Sequence, residues 1–143
     1  MRKLIVLAGL VALLALPATT AAVGRPFVIS MTGAAEAPGP GDPDGSGTAW
    51  LTLNSGRGEV CFVLMVEDIA LPATGAHIHV APSGSPGPIV VPLTAPDATG
   101  VSSGCVSADP ALVKAIRKTP SAYYVNVHST EFPAGAVRGQ VAP

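Results

Sequence analysis

The chain reads as all-β, an antiparallel β-sandwich with one short connecting helix. Three observations predict this. Seven or eight short segments alternate apolar and polar residues, or run β-branched, with turn signals roughly every 8–12 residues. Gly and Pro together supply 31 of 143 residues, and charged residues only 12%. A helical protein would carry more Glu, Lys and Leu. Finally, only one segment carries the punctuation of a helix.

The elements follow in order. Phe27 to Thr32 is a first strand, and 33–47 a long Pro/Gly loop. From Thr48 to Asn54 the chain alternates, with Ala49, Leu51 and Leu53 on one face. A turn at Asn54–Gly58 leads to Glu59–Val66, apolar on both faces and expected to lie buried under a second sheet. Ala76–Ala81 is the next strand. Ile89–Leu93 contains Pro92, which cannot donate to a ladder, so it belongs at a sheet edge. Gly104–Ser107 is short. Asp109 then offers an N-cap, Pro110 suits the first helical position, and Leu112, Val113 and Ile116 form one apolar face. Pro120 ends that helix. Tyr123–His128 and Val137–Val141 are the last strands.

The N-terminus has the pattern of a secretory signal. Arg2 and Lys3 precede an apolar run, Leu4 to Leu16, and Thr20-Ala21-Ala22 offers small residues for cleavage. The run is shorter than the ~20 residues of a membrane span. Residues 1–22 are therefore read as a leader and 23–143 as one secreted, extracytoplasmic domain with no membrane span. No cysteine follows the small residues, so a lipoprotein anchor is not expected. Losing Arg2 and Lys3 takes the net charge from −1 to −3. That balance, without a basic patch, argues against nucleic acid or anionic lipid as a partner.

Two cysteines in an exported chain predict a Cys61–Cys105 disulfide; separate thiols or metal ligation are the alternatives. Closing a loop of about 45 residues is worth roughly 4 kcal/mol in the chain-entropy model.

The stretch TGAHIHVAP, Thr74 to Pro82, sets His77 and His79 two residues apart in strand-like sequence. Residues i and i+2 of a strand share a face. The third and last histidine, His128, ends YYVNVH, where Asn126 and His128 share the face opposite Tyr123, Val125 and Val127. Three imidazoles so placed can converge on copper or zinc, with Glu36 or Glu131 as a fourth ligand. Histidines that hydrogen-bond loop carbonyls are the competing explanation.

Several ordered blocks carry a family resemblance: TGAAEAP, TGAHIHVAP followed by PIVVPL, and YYVNVHSTEFPAGAVRGQV. Together they resemble the CHRD domain, first noted in chordin and found in many secreted bacterial proteins. The resemblance runs from about Phe27 to Val141. It implies an immunoglobulin-like, Greek-key β-sandwich and defines no biochemical activity. The family pattern has an acidic residue where this chain has Glu36. Its closing block usually has another two residues before the Arg, where this chain has Ala136 before Arg138. The cysteines match a bacterial subset of the family. GAHIHV is also similar to the copper strand of Cu/Zn superoxide dismutase, but two-metal dismutase chemistry needs more histidines than the three present.

Other motifs are weaker. GVSSG, Gly100–Gly104, has the letters of a nucleophile elbow, with Asp109 and His128 following in hydrolase order. The elbow requires a strand turning sharply into a helix on a parallel sheet, which this chain does not offer. DPDGSG, Asp42–Gly47, has part of a calcium-loop spacing without the closing Glu. LPATG, Leu71–Gly75, lies mid-chain and is read as a turn. Arg138 is expected to pair with Glu36 or Glu131, or to contact an anionic ligand. No phosphate loop, nicotinamide fingerprint or CxxC is present.

The sequence thus predicts a non-catalytic binding or structural module facing an extracellular or envelope partner. A copper- or zinc-binding protein with a three-histidine site is the alternative, and a small hydrolase a weaker third.

Overall fold

A computed structural model describes residues 24–142. The proposed leader, residues 1–22, lies outside the described residues. Among the described residues eight strands are present: β1 (Phe27–Thr32), β2 (Ser46–Asn54), β3 (Glu59–Glu67), β4 (Gly75–Val80), β5 (Ile89–Leu93), β6 (Val101–Ser107), β7 (Tyr123–His128) and β8 (Val137–Gln140). One α-helix, α1 (Pro110–Lys118), joins β6 to β7. All pairings are antiparallel.

The strands form one sheet, ordered β5-β4-β7-β8-β1-β2-β3-β6. This differs from the two separate sheets expected of a sandwich. The join is β8 against β1, where Thr32 and Arg138 form a single register pair. Two four-stranded halves are thereby hydrogen-bonded into one. Gly139 makes the close approach possible, since a Cβ there would lie 2.3 Å from the Ser30 carbonyl oxygen.

The inward residues of both halves meet in one core that includes Ile29, Leu51, Leu64, Ile78, Val91, Val125 and Val137. A sheet whose strands all bury the same face in one core must curl on itself, so the molecule is nearly barrel-shaped. The free edges, β5 and β6, come together where the Ser102 hydroxyl donates to the Thr94 carbonyl. Pro92 does sit in an edge strand, as its missing N–H demands.

The helix is built as its sequence predicts. The Asp109 carboxylate accepts from the Ala111 N–H at 2.7 Å, and Val113 and Ile116 are fully buried, with α1 packed on β2 and β3. β3 departs from expectation. Val60, Phe62, Leu64 and Val66 are buried, but Val63 and Met65 face outward and exposed. Among the described residues no second sheet covers that face, because the other half lies across the core.

Cys61 and Cys105 are register partners in β3 and β6 and form a disulfide, so neither remains a free thiol or thiolate ligand. Among the described residues no helix is long and apolar enough to cross a membrane.

Candidate functional site

The β4–β7 ladder places the three histidines. Gly75 pairs with His128, His77 with Asn126, and His79 with Tyr124. Alternation sends Ala76, Ile78, Val125 and Val127 into the core, where all four are fully buried. His77, His79, Tyr124, Asn126 and His128 therefore share the outer face. Gly75 leaves space for the rings: a Cβ there would lie 3.2 Å from the Cε1 of His77 and 3.6 Å from the Cδ2 of His128.

The rings converge. Each of the three histidines offers one ring nitrogen such that all three nitrogens lie within 4.8 Å of one another. The Nδ1 of His77 is 3.2 Å from the Nε2 of His128. The Nδ1–H of His79 donates to the Gly87 carbonyl at 2.8 Å, and that of His128 to the Pro133 carbonyl at 3.0 Å. A carbonyl oxygen only accepts, so each contact fixes the proton on Nδ1 and leaves a lone pair on Nε2. The Nε2 of His128 accepts from His77. The Nε2 of His79, in a side chain 7% exposed, is buried and has no partner among the described residues.

Electrostatics favour the neutral form of His77 and His128. Burial lowers the pKa of His77 below its ordinary value, and the neighbouring His128 and His79 lower it further. Burial also lowers that of His128, helped by His79 and opposed by the hydrogen bond to Pro133. Neutral imidazole is the ligating form.

A strap of backbone, residues 81–88, holds His79 from outside. The His79 ring stacks on Tyr124, with centroids 4.7 Å apart and planes within 8°. The Arg138 guanidinium lies 3.4 Å from the centre of the Tyr124 ring. Arg138 is only 1% exposed and donates to the carbonyls of Ser85 and Pro82 and to the Oε1 of Gln140. Gln140 donates to the Ala81 and Ser121 carbonyls, and the Gly87 N–H donates to the Tyr124 hydroxyl. The strap that carries the carbonyl orienting His79 is thus itself held by Arg138, Gln140 and Tyr124, the kind of outer support that orients metal-bound histidines in general.

The remaining candidates lie elsewhere. Glu36 is not in the histidine group. Its side chain nests beside Gly41 and Gly135, where added Cβ atoms would come within 2.7 and 2.5 Å of it. Burial raises its pKa to about 7 against the pull of Arg138 and a backbone hydrogen bond at Ala37. In place of the expected carboxylate pair, the Arg138 guanidinium donates to carbonyls of the 81–88 strap and acts on Glu36 only through its charge. Glu131 is exposed and lines an open depression with Asp42, Asp44 and Asp68. Asp42 accepts from the Asp44 N–H, as a turn residue does. GVSSG lies largely within β6 rather than at a strand-to-helix turn, and its central Ser102 hydroxyl is engaged by Thr94. Asp109 caps α1. That geometry removes the hydrolase elbow.

The model of the CHRD domain family matches residues 27–141. The chain belongs to the CHRD domain family. No curated protein and no solved structure matches it. The CHRD match begins at the first residue of β1 and ends one residue past β8, so all eight strands and all three histidines fall within it.

Sequence reasoning placed Asn126 on the face of His128 without giving it a role, and missed Tyr124 and Gln140 as parts of this face. Period-two alternation groups Asn126 with His128. Only the strand register shows that both stand against His77 and His79.

Proposed function

We propose that this CHRD domain is an exported, non-catalytic binding module of the cell exterior. Its binding site is the His77–His79–His128 cluster, and its ligand is a copper or zinc ion. One observation carries the reading. The Nε2 lone pair of His79 is buried without a donor among the described residues, beside two further imidazoles with nitrogens inside 4.8 Å. A buried acceptor left unmatched costs roughly 1–3 kcal/mol, which an electron-pair acceptor removes. Three neutral imidazoles suit Cu(II) and Zn(II). Export is supported by the leader-like sequence and by the disulfide. An immunoglobulin-like layering of the two four-stranded halves is part of the same reading, supported by their shared core.

The experiment is a calorimetric titration of residues 23–143, disulfide intact, with Cu(II) and Zn(II). One ion per chain is expected, with binding lost in His77→Ala, His79→Ala and His128→Ala while near-UV circular dichroism persists. No tight binding by the unmodified chain, with lower melting temperatures in the variants, would make the histidines structural.

A second reading, docking of an envelope or extracellular protein, is favoured by the outer face of β1, β2, β3 and β6. Val28 (58% exposed), Val63, Met65 and Val101 are exposed there, with half-buried Trp50 in register between Val28 and Val63. An apolar patch of this kind marks interaction surfaces.

A further inference from the structure

The outer face of β4 and β7 holds a second buried acceptor without a partner among the described residues, the Oδ1 of Asn126. The side chain is 2% exposed. Asn126 stands directly opposite His77, two residues from His128 along β7, and diagonal to His79. Directly opposed Cβ atoms in an antiparallel pair are about 4.5–5.5 Å apart, and diagonal neighbours about 7–8 Å. On its other side Asn126 pairs with Arg138, whose guanidinium is engaged by Ser85, Pro82 and Gln140.

Two orphaned lone pairs, one nitrogen and one oxygen, therefore occupy one face of one strand pair. The other ring nitrogens of His79 and His128 found carbonyls, so the local backbone is able to satisfy polar groups here. As placed, both orphans are acceptors, and they do not satisfy each other. A single electron-pair acceptor within reach of both would satisfy both.

We propose that Asn126 is the fourth donor of the histidine site, presenting Oδ1 to the same ion as His77, His79 and His128. This rests on the metal reading above. It replaces the carboxylate expected from Glu36 or Glu131 with a neutral amide oxygen. The resulting set has three nitrogens, one oxygen and no sulfur. It therefore selects divalent Cu(II) or Zn(II) over Cu(I), which prefers thiolate and thioether ligands.

The test uses the exported chain with its disulfide intact, Cu(II) as the probe, and Asn126→Leu, which removes the amide at similar volume. Affinity is expected to fall at least about tenfold, the scale seen when a contact supporting a metal site is lost. The electron paramagnetic resonance spectrum of bound Cu(II) should change, while the ion-free melting temperature should not fall, because an unmatched buried amide has been removed. Asn126→Asp keeps the oxygen, adds charge and should bind more tightly. Unchanged affinity and spectrum in Asn126→Leu, with normal binding by the unmodified chain, would overturn the assignment and leave the three-histidine site standing. If Asn126→Leu does not fold, unchanged affinity and spectrum in Asn126→Asp would overturn it instead. Failure of the unmodified chain to bind Cu(II) would overturn both.

Discussion

Glu36 holds its proton unusually well. Burial between Gly41 and Gly135 raises its pKa from 4.5 to about 7, with Arg138 and a backbone hydrogen bond opposing. The folded chain therefore binds this proton more tightly than the unfolded chain. The stability it contributes is complete below pH 4.5 and is lost as pH rises to about 7. Glu36→Gln should leave the melting temperature nearly unchanged at pH 4 and raise it at pH 8. After allowance for solvent screening, the gain is about 1 kcal/mol, or roughly 4 °C. Thermal melts at the two pH values check it; an equal shift at both would tie the effect to packing rather than to the proton. His77 and His128 act in the opposite sense. Their pKa values are depressed below 6.5, so stability present above 6.5 is lost as pH falls beneath it. At this scale the sequence was half legible. The His-x-His spacing dictates a shared face wherever it forms a strand. The environment of Glu36 and the carbonyl partners of Arg138 depend on loops 33–45 and 81–88, whose paths no local pattern encodes.

Among the elements, β6 shows where pattern reading fails. Only Gly104–Ser107 suggested a strand, because VSSG lacks apolar alternation, yet the strand begins at Val101. Its register with β3, from Met65–Val101 to Glu59–Ser107, overrides weak local preference. The helix and the edge strand β5 were legible because Asp109, Pro110 and Pro92 act through their own backbone chemistry. The disulfide anchors β6 to β3 across a separation of 44 residues. Replacing both cysteines by serine should destabilise the fold by about 2–4 kcal/mol. Urea unfolding midpoints measure the loss. Metal affinity should be unchanged, since the disulfide lies within the β1-β2-β3-β6 half and the histidines stand on the outer face of β4 and β7 in the other half. Coupled loss of both would show that the halves do not behave independently.

For the whole molecule, the strand inventory was readable and the closure was not. Alternation and turn signals count strands, but the contact that turns two halves into one sheet joins residues 32 and 138, far apart in sequence. Arg138 occupies that join and also holds the 81–88 strap whose Gly87 carbonyl orients His79. Parting β8 from β1 should therefore loosen the strap and disorder the ligand that an ion would hold. By linkage, an ion at the histidines protects a seam that it does not touch. At an ion concentration of 100 Kd, amide hydrogen exchange along β1 and β8 should slow by up to about 100-fold wherever opening the seam exposes the amide. Slowing confined to β4 and β7 would mean that the seam breathes without consulting the site.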